Sequence, residues 1–232
     1  MDTRSFKLAS LMLALSLVGS ARPATAQPRP SLNIVLHLCD DSGIQANLVN
    51  RAKREMTRIY RDAGVDINWI SDAAAKDDGP DDPQPLESTP PLTLVILCRE
   101  LTDELTVDTT ALGAAVGTRE YRGRMAYVFY DRVEHTAQTY LNVTHEPGTD
   151  AMYTVIVLAH AMAHEVGHLL LPYGHSPTGL MRAEWEAQDL RLAVNRQLNF
   201  TNEQAEQMRD RLLAGIADTP SPVPNRSTGR SD

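Results

Sequence analysis

The sequence predicts an α+β fold built on a twisted, mixed and mostly parallel sheet. A strand, an amphipathic helix and a second strand follow one another early in the chain, which is the order of a parallel βαβ unit. A hairpin pattern in the middle of the chain adds an antiparallel strand at the sheet edge. A long apolar helix and a final amphipathic helix come after this hairpin. With 232 residues, 42% of them hydrophobic, the chain can enclose one large core.

Residues 1–26 have the pattern of a secretory signal peptide. Arg4 and Lys7 give a basic start, residues 8–18 are apolar, and Ala24-Thr25-Ala26 is a cleavage site of small residues. We therefore expect export, to the periplasm or the extracellular space. No other apolar run is long enough to span a bilayer, so we expect no membrane span after cleavage.

The first half of the mature chain predicts three strands and one helix. Apolar runs with β-branched residues predict buried strands at 31–39, 65–70 and 92–98, and apolar residues at helical spacing predict a helix at 42–64. The segment 71–91 is rich in Pro and Asp, and we expect a mobile acidic surface loop. Its aspartates could bind calcium, but their spacing matches no calcium loop, which favours a solvated loop.

Cys39 and Cys98, the two cysteines of the chain, each end a predicted strand. If those strands are parallel neighbours, both thiols lie at the same edge of the sheet. Because an exported protein meets an oxidising compartment, we expect a disulfide between them.

The second half of the chain predicts a hairpin and two helices. Residues 111–117 are small and glycine-bearing, which indicates an edge strand, and 124–133 form its partner strand. A long helix is predicted over 149–171, and it is expected to end there because Pro172 follows directly. The last helix begins at Thr201, where Gln204 three residues later completes a capping box.

The globular domain is predicted to comprise residues 27–217. Residues 218–232 are rich in Pro and Ser and are expected to form a disordered tail.

The formal net charge of −8 argues against a nucleic-acid partner, because phosphate binding needs a basic face. We expect a monomer.

Residues 160–181, HAMAHEVGHLLLPYGHSPTGLM, hold four of the seven histidines. His164 and His168 are four residues apart, so they lie on one face of the predicted helix and can reach one metal ion. Glu165 points about 100° further round the helix, too far to join the same coordination easily but close enough to hydrogen-bond a water molecule on the metal. This is the H-E-x-x-H motif, with two zinc ligands and a general base.

The apolar surroundings of the motif favour a metal site over three surface residues. The helix is apolar nearly all round, which predicts that it is buried, and a buried Glu between two buried His must be paired or coordinate something. His160 lies on the same face, but the pair that it forms with His164 encloses Ala161 where the motif needs Glu. We therefore interpret His160 as a core residue or a partner of a ligand.

A catalytic zinc usually has three protein ligands and one open position. His175 is the nearest candidate for the third ligand, since Pro172 and Gly174 turn the chain and let it fold back. Glu184 and Glu186 are rivals, because downstream carboxylates can serve instead of histidine.

The stretch HEVGHLLLPYGHSPTGLM resembles the active site of the metzincin metallopeptidases, whose pattern is H-E-x-x-H-x-x-G-x-x-H followed by a Met-turn. His164, Glu165 and His168 match it without adjustment. HSPTGLM is similar to the stretch after the third histidine in matrixin-type members, which places Met181 in the Met-turn.

The sequence departs from the metzincin pattern at one place. Where the family has glycine, three residues after the second histidine, this chain has Leu171. The glycine moves to Gly174, and His175 comes seven residues after His168 instead of six, so one residue is inserted.

The resemblance implies a zincin-like domain and a zinc-dependent endopeptidase holding one catalytic zinc ion, and the signal-peptide pattern predicts that this enzyme is secreted. The resemblance also implies that Glu165 is the general base and that a peptide or protein substrate pairs with the edge strand at 111–117. Tyr173 is a candidate to hydrogen-bond the oxyanion, with packing on the loop as the alternative. Two other functions stay open, a zinc-dependent hydrolase or amidase of a non-peptide substrate and a non-catalytic zincin-fold binding module. Glu165 argues against the last, because a closed structural site needs no base.

Overall fold

The structure is a computed structural model of the whole chain. Several predictions lie outside the residues that it describes, namely the signal peptide at 1–26, nearly all of the loop at 71–91, the role of Tyr173 and the tail at 218–232. The described residues are 32–70, 91–104, 108–117, 122–144, 150–172 and 174–217.

Five strands form one mixed sheet in the order β2-β1-β3-β5-β4. The first three of these strands and β5 run parallel, and β4 pairs antiparallel with β5 at the edge. This confirms the predicted α+β fold and its mostly parallel sheet with an antiparallel edge strand. The strands are β1 Leu32–Asp41, β2 Val65–Ile70, β3 Leu92–Leu97, β4 Gly113–Gly117 and β5 Arg122–Phe129.

Helices pack on one face of this sheet, and the most buried helix is α4. It contacts α1, α3, β5 and β4, and nearly all its residues from Val155 onward are buried. The inward residues of the central strands, among them Leu36, Leu94 and Val128, have no exposed surface. The helices are α1 Ala46–Asp62, α2 Arg99–Asp103, α3 Tyr130–Thr144, α4 Asp150–Leu170, α5 Ala187–Val194 and α6 Asn202–Ala217.

The predicted strand at 124–133 is wrong at its C-terminal end. The strand stops at Phe129 and the chain continues directly into α3, which begins at Tyr130. No glycine or proline separates the two elements, and the apolar run of the strand continues into Tyr130. The local pattern therefore resembles a longer strand, although Val133 is buried as part of the helix face.

The predicted disulfide is not supported, because Cys39 and Cys98 both carry thiols. β1 and β3 are parallel neighbours, which the disulfide prediction required, but Cys39 lies opposite Val95, three residues before Cys98. At roughly 3.3 Å per strand residue, this stagger separates the two by about 10 Å along the sheet. A disulfide requires Cα atoms closer than about 7 Å, so the strand register prevents the bond.

The capping box predicted for the last helix is present. The backbone N–H of Gln204 donates to Thr201 Oγ1 at 3.2 Å, and the backbone N–H of Thr201 donates to Gln204 Oε1 at 2.9 Å. Just before it, the Phe200 ring packs edge-on against Tyr60 with ring centres 5.1 Å apart, so the start of α6 contacts α1.

Within the described ranges, no helix combines the length and apolarity that crossing a bilayer requires.

Candidate metal centre

The C-terminal half of α4 carries His164, Glu165 and His168 on its surface toward β4 and the loop that follows the helix. His164 is 7% exposed and Glu165 is 6% exposed, because the apolar residues around them draw the whole helix into the core. His168, one turn later, is half-buried. The polar motif is thus buried along with the helix that carries it.

Three histidines converge at this point, and the third is His175. The nitrogens that His164, His168 and His175 can offer to a metal all lie within 4.8 Å of one another. His164 Nε2 and His168 Nε2 are 3.0 Å apart, and the ring of His175 is centred 5.4 Å from the first ring and 4.8 Å from the second. The exposed His175 reaches back after Gly174, which has a φ of 118° that favours glycine. The inserted residue therefore does not carry His175 away from the other two.

The first histidine is oriented by a backbone carbonyl. His164 Nδ1 donates to the carbonyl of Leu180 at 2.8 Å, which leaves the Nε2 lone pair directed at the other two histidines. Trp185 Nε1 donates to the same carbonyl at 3.2 Å. Leu180 thus links the helix to the chain beyond the third histidine.

Met181, the residue predicted to lie in a Met-turn, packs against the helix at Gly167. Its side chain is 1% exposed. A Cβ placed on Gly167 would come within 2.7 Å of Met181 Sδ and 3.0 Å of the Phe200 ring. Only glycine at 167 lets the helix approach this methionine so closely. The turn is tied to the loop by the backbone N–H of Ser176, which donates to the carbonyl of Met181 at 2.8 Å.

Burial keeps the histidines neutral. Loss of solvation lowers the pKa of His164 to about 4 and that of His168 to about 3, with the neighbouring imidazoles adding to the shift. Burial also lowers the pKa of His175. Their lone pairs are therefore available to a cation at neutral pH, as metal binding by histidine requires.

The buried carboxyl group of Glu165 has the opposite shift. Burial raises its pKa to about 8, because the charged form loses its water. Glu165 lies against β4, where a Cβ on Gly113 would come within 2.5 Å of Glu165 Cγ and 2.4 Å of the carbonyl oxygen of Tyr127. The glycine therefore makes room for the carboxylate.

An open cleft of about 710 Å³ runs between β4 and the histidines. One wall is the whole of β4, Gly113–Gly117, and the other carries His164, Glu165 and His168. The residues that follow Met181, from Arg182 to Trp185, close one side of the cleft. The strand, the carboxylate and the three imidazoles thus share one space.

The rival ligands are not part of the histidine cluster. Glu184 is an exposed residue of the cleft lining. Glu186 is engaged at the start of α5, where it forms a capping box with Asp189 and an ion pair with Arg182 at 3.3 Å. His160 is buried in the core, with Nδ1 donating to the carbonyl of Ile156 at 2.8 Å, which agrees with its interpretation as a core residue.

Three site residues were not identified from the sequence, namely Gly113, Gly167 and Trp185. The two glycines act through the absence of a side chain, which no sequence pattern reveals without the neighbours that they make room for. Trp185 offers a weak signal, since an aromatic residue with a polar N–H lies four residues after the predicted Met-turn.

Among solved structures, the chain is similar to archaemetzincin from Methanopyrus kandleri, determined by crystallography at 1.5 Å resolution. The TM-score is 0.47 at 16% identity, and the match covers 81% of this chain and 99% of that one. No family model and no curated protein matches the sequence. The function therefore has to be argued from the site itself.

Proposed function

We propose that this chain is a zinc-dependent metallopeptidase, with His164, His168 and His175 as zinc ligands and Glu165 as general base. The observation that carries the proposal is the convergence of three neutral imidazoles beside one buried carboxylate in an open cleft. Three protein ligands with one side left open is the arrangement of a catalytic zinc, whereas structural zinc sites are closed by four.

The donor set fits zinc. Tetrahedral zinc binds imidazole nitrogen at about 2.0–2.1 Å, so its ligand nitrogens lie roughly 3.4 Å apart. The nitrogens of the three histidines, all within 4.8 Å of one another, need only small side-chain movements to meet this geometry. The Leu180 carbonyl already orients His164 through its other nitrogen, as the outer partners of zinc-bound histidines do.

Zinc, when bound, supplies a Lewis acid that lowers the pKa of a water molecule and polarises a carbonyl group. In the proposed reaction, the Glu165 carboxylate accepts a proton from the attacking water and delivers it to the amine that leaves. A pKa of about 8 in the metal-free site would make Glu165 a poor base near neutral pH, but a cation beside it favours the charged form and lowers this pKa.

We further propose that the substrate is a peptide that binds as an added strand on β4. β4 is the last strand of the sheet and lines the cleft along its whole length. The strand has a register irregularity between Ala115 and Gly117, and Val116 is 48% exposed there. A bulge of this kind re-aims side chains next to active sites. An extended peptide paired with this edge would pass over Glu165.

Export of the chain also stays a proposal, based on the signal-peptide pattern at 1–26. Expression in a host with a secretory pathway, followed by N-terminal sequencing of the protein outside the cytoplasm, tests it. A mature terminus at Gln27 is expected, and uncleaved protein kept in the cytoplasm would contradict export.

Digestion of a mixed peptide library by the purified protein tests the proposed reaction. We expect cleavage that a chelator abolishes and that added zinc restores, and no cleavage by the Glu165→Gln variant, which serves as the matched control. A protein that binds one zinc per chain but leaves every peptide intact would favour the amidase or the binding module. Cleavage that survives complete removal of metal would exclude the proposed mechanism.

A further inference from the structure

Trp185 lies between the cleft and the first histidine of the cluster. It lines the cleft, and its indole N–H donates to the Leu180 carbonyl that also orients His164. We propose that Trp185 is a positioning residue for His164, so that the affinity for zinc depends on a residue of the cleft wall. The inference rests on the proposed function only in taking the three histidines as a zinc site.

The shared carbonyl explains how Trp185 acts on the histidine. Leu180 has no exposed surface, so no solvent water can replace a missing donor on its carbonyl oxygen. A carbonyl oxygen has two lone pairs, and here one receives His164 Nδ1 at 2.8 Å and the other Trp185 Nε1 at 3.2 Å. The two donors together fix the direction of the acceptor. Removal of the indole N–H would leave the carbonyl held by His164 alone.

The indole ring also restricts the imidazole by contact. Trp185 packs edge-on to His164, with ring centres 5.8 Å apart and planes at 78°, and edge-on to the buried His160 at 6.3 Å. Rotation of the His164 ring away from the other ligands would have to displace this large side chain. Hydrogen bond and ring contact therefore favour the same orientation of His164.

The backbone on both sides of Trp185 is anchored independently of any metal. On one side the Met181 carbonyl accepts from Ser176 at 2.8 Å, and on the other the backbone N–H of Glu186 donates to Asp189 Oδ2 at 2.9 Å. Arg182 Nη1 donates to the same Asp189 oxygen at 2.7 Å. The indole is thus held in place before a metal binds, which is what a positioning residue requires.

Competition for zinc with a chromophoric chelator tests the inference on the full chain. Loss of an outer partner of a metal-bound histidine costs about 10- to 100-fold in affinity. Trp185 acts on His164 through that partner, the Leu180 carbonyl, so we expect Trp185→Phe to fall at the lower end of this range and to bind zinc about 10-fold more weakly than the wild type. Phenylalanine keeps a ring against His164 and removes the N–H. The matched control is Trp69→Phe, because the chain has two tryptophans and Trp69 Nε1 donates to Thr57 Oγ1, between β2 and α1. We expect this variant to bind zinc as the wild type does.

A fluorescence titration keeps the inference testable if Trp185→Phe does not fold. In Trp69→Phe the indole of Trp185 is the single tryptophan of the chain, so its emission should change when zinc is added up to one equivalent. Equal zinc affinity of Trp185→Phe and wild type would overturn the inference, and so would an unchanged emission in the single-tryptophan protein. A wild-type chain that binds no zinc would instead overturn the proposed function.

Discussion

The two walls of the cleft, α4 and β4, are built in opposite ways. α4 presents titratable side chains from a buried helix, with His164 7% exposed and Glu165 6% exposed. β4 is Gly-Ala-Ala-Val-Gly, which has no ionisable group and, in Val116, one large side chain. One wall contributes chemistry through its side chains, while the other contributes backbone groups and space.

This difference determines what each wall requires of its surroundings. α4 needs apolar neighbours to bury it and partners such as the Leu180 carbonyl to orient its imidazoles. β4 needs an external anchor, because glycine and alanine pack little surface of their own. Arg132 supplies one from α3. It donates to the carbonyls of Asp108 and Ala111 just before the strand, and its guanidinium lies 4.6 Å over the Phe129 ring. α4 is thus held by the core around it, and β4 by a neighbouring helix.

The largest effect is expected on the α4 wall. Glu165→Gln should lower the rate of peptide hydrolysis by about 10²- to 10⁴-fold, because glutamine keeps the size and hydrogen bonding of glutamate but cannot accept the proton. Zinc content, measured by metal analysis, should be unchanged. Glu184→Gln is the matched control, since Glu184 is an exposed carboxylate of the same cleft and its loss should leave the rate near that of the wild type. Loss of zinc from Glu165→Gln would make Glu165 a ligand, and retained activity would place the base elsewhere.

The next effect concerns the one ligand that α4 does not supply. His175→Ala should bind zinc more than about 100-fold more weakly, because a direct ligand contributes more than the outer partners whose loss costs about 10- to 100-fold. Metal analysis beside Glu184→Ala and Glu186→Ala decides which residue is the third ligand. Full zinc in His175→Ala together with loss of zinc in either glutamate variant would show that we have named the wrong residue.

On the β4 wall, Gly113→Ala should slow hydrolysis by about 10²-fold while zinc is retained. The added methyl group would lie 2.4 Å from the Tyr127 carbonyl oxygen and 2.5 Å from Glu165 Cγ, so the strand or the Glu165 side chain must shift. A displacement of a catalytic group by about 1 Å can cost this much. Gly215→Ala in α6 is the matched control, because a Cβ there meets nothing within 4 Å. It should leave the rate unchanged and raise stability slightly. Equal rates for the two variants would mean that β4 does not position the base.

The smallest expected effect is a change in protein stability with pH, because the α4 wall carries buried titratable groups. Burial lowers the pKa of His164 to about 4 and also lowers that of His160, whereas the unfolded chain takes up these protons near pH 6.5. Stability of the metal-free protein should therefore fall as the pH drops below 6.5, by up to about 1.4 kcal/mol per pH unit for each histidine.

Glu165 opposes this trend, because its pKa is raised to about 8 in the folded state. Its contribution to stability is present below pH 4.5 and is lost as the pH rises toward 8. Denaturant unfolding in the presence of a chelator, at pH 7.5, 6.5 and 5.5, checks both signs. The acid sensitivity should be steeper in Glu165→Gln, and a flat profile in both proteins would contradict the assigned burial of the motif.

The sequence predicts the α4 wall far better than the β4 wall. A motif of charged residues at helical spacing inside an apolar segment has few alternative interpretations, so the sequence alone assigns His164, Glu165 and His168 to one site on a buried helix. Position 175 could be named but not placed, because the path of a loop with one inserted residue depends on tertiary contacts. The role of Gly113 could not be predicted from the sequence, since it depends on its distance from the side chain of Glu165, 52 residues later in the chain.

Two further features differ from the sequence prediction, the end of β5 and the register of β1 against β3, and both depend on tertiary packing. The pattern of β5 does not mark the point at which strand passes into α3, because the stop at Phe129 depends on packing and no turn residue signals it. β1 and β3 are parallel neighbours, as the disulfide prediction required. The register of the two strands, however, pairs Cys39 with Val95, which lies three residues before Cys98. Register is fixed by which side chains the two strands bury together, and a short apolar run does not specify it alone.

The unequal exposure of the three histidines has a consequence for the kinetics of metal exchange. His164 is buried and His168 half-buried on one rigid helix, while His175 is exposed. An incoming ion should therefore be captured first at the solvent side and pass inward, and a departing ion should lose His175 before the helical pair. If zinc binds as proposed, dissociation would pass through a stage with only the two helical histidines as protein ligands, which a small chelator can intercept from the open cleft. On this basis the exchange rate, as well as the equilibrium affinity, should depend on the loop that carries His175.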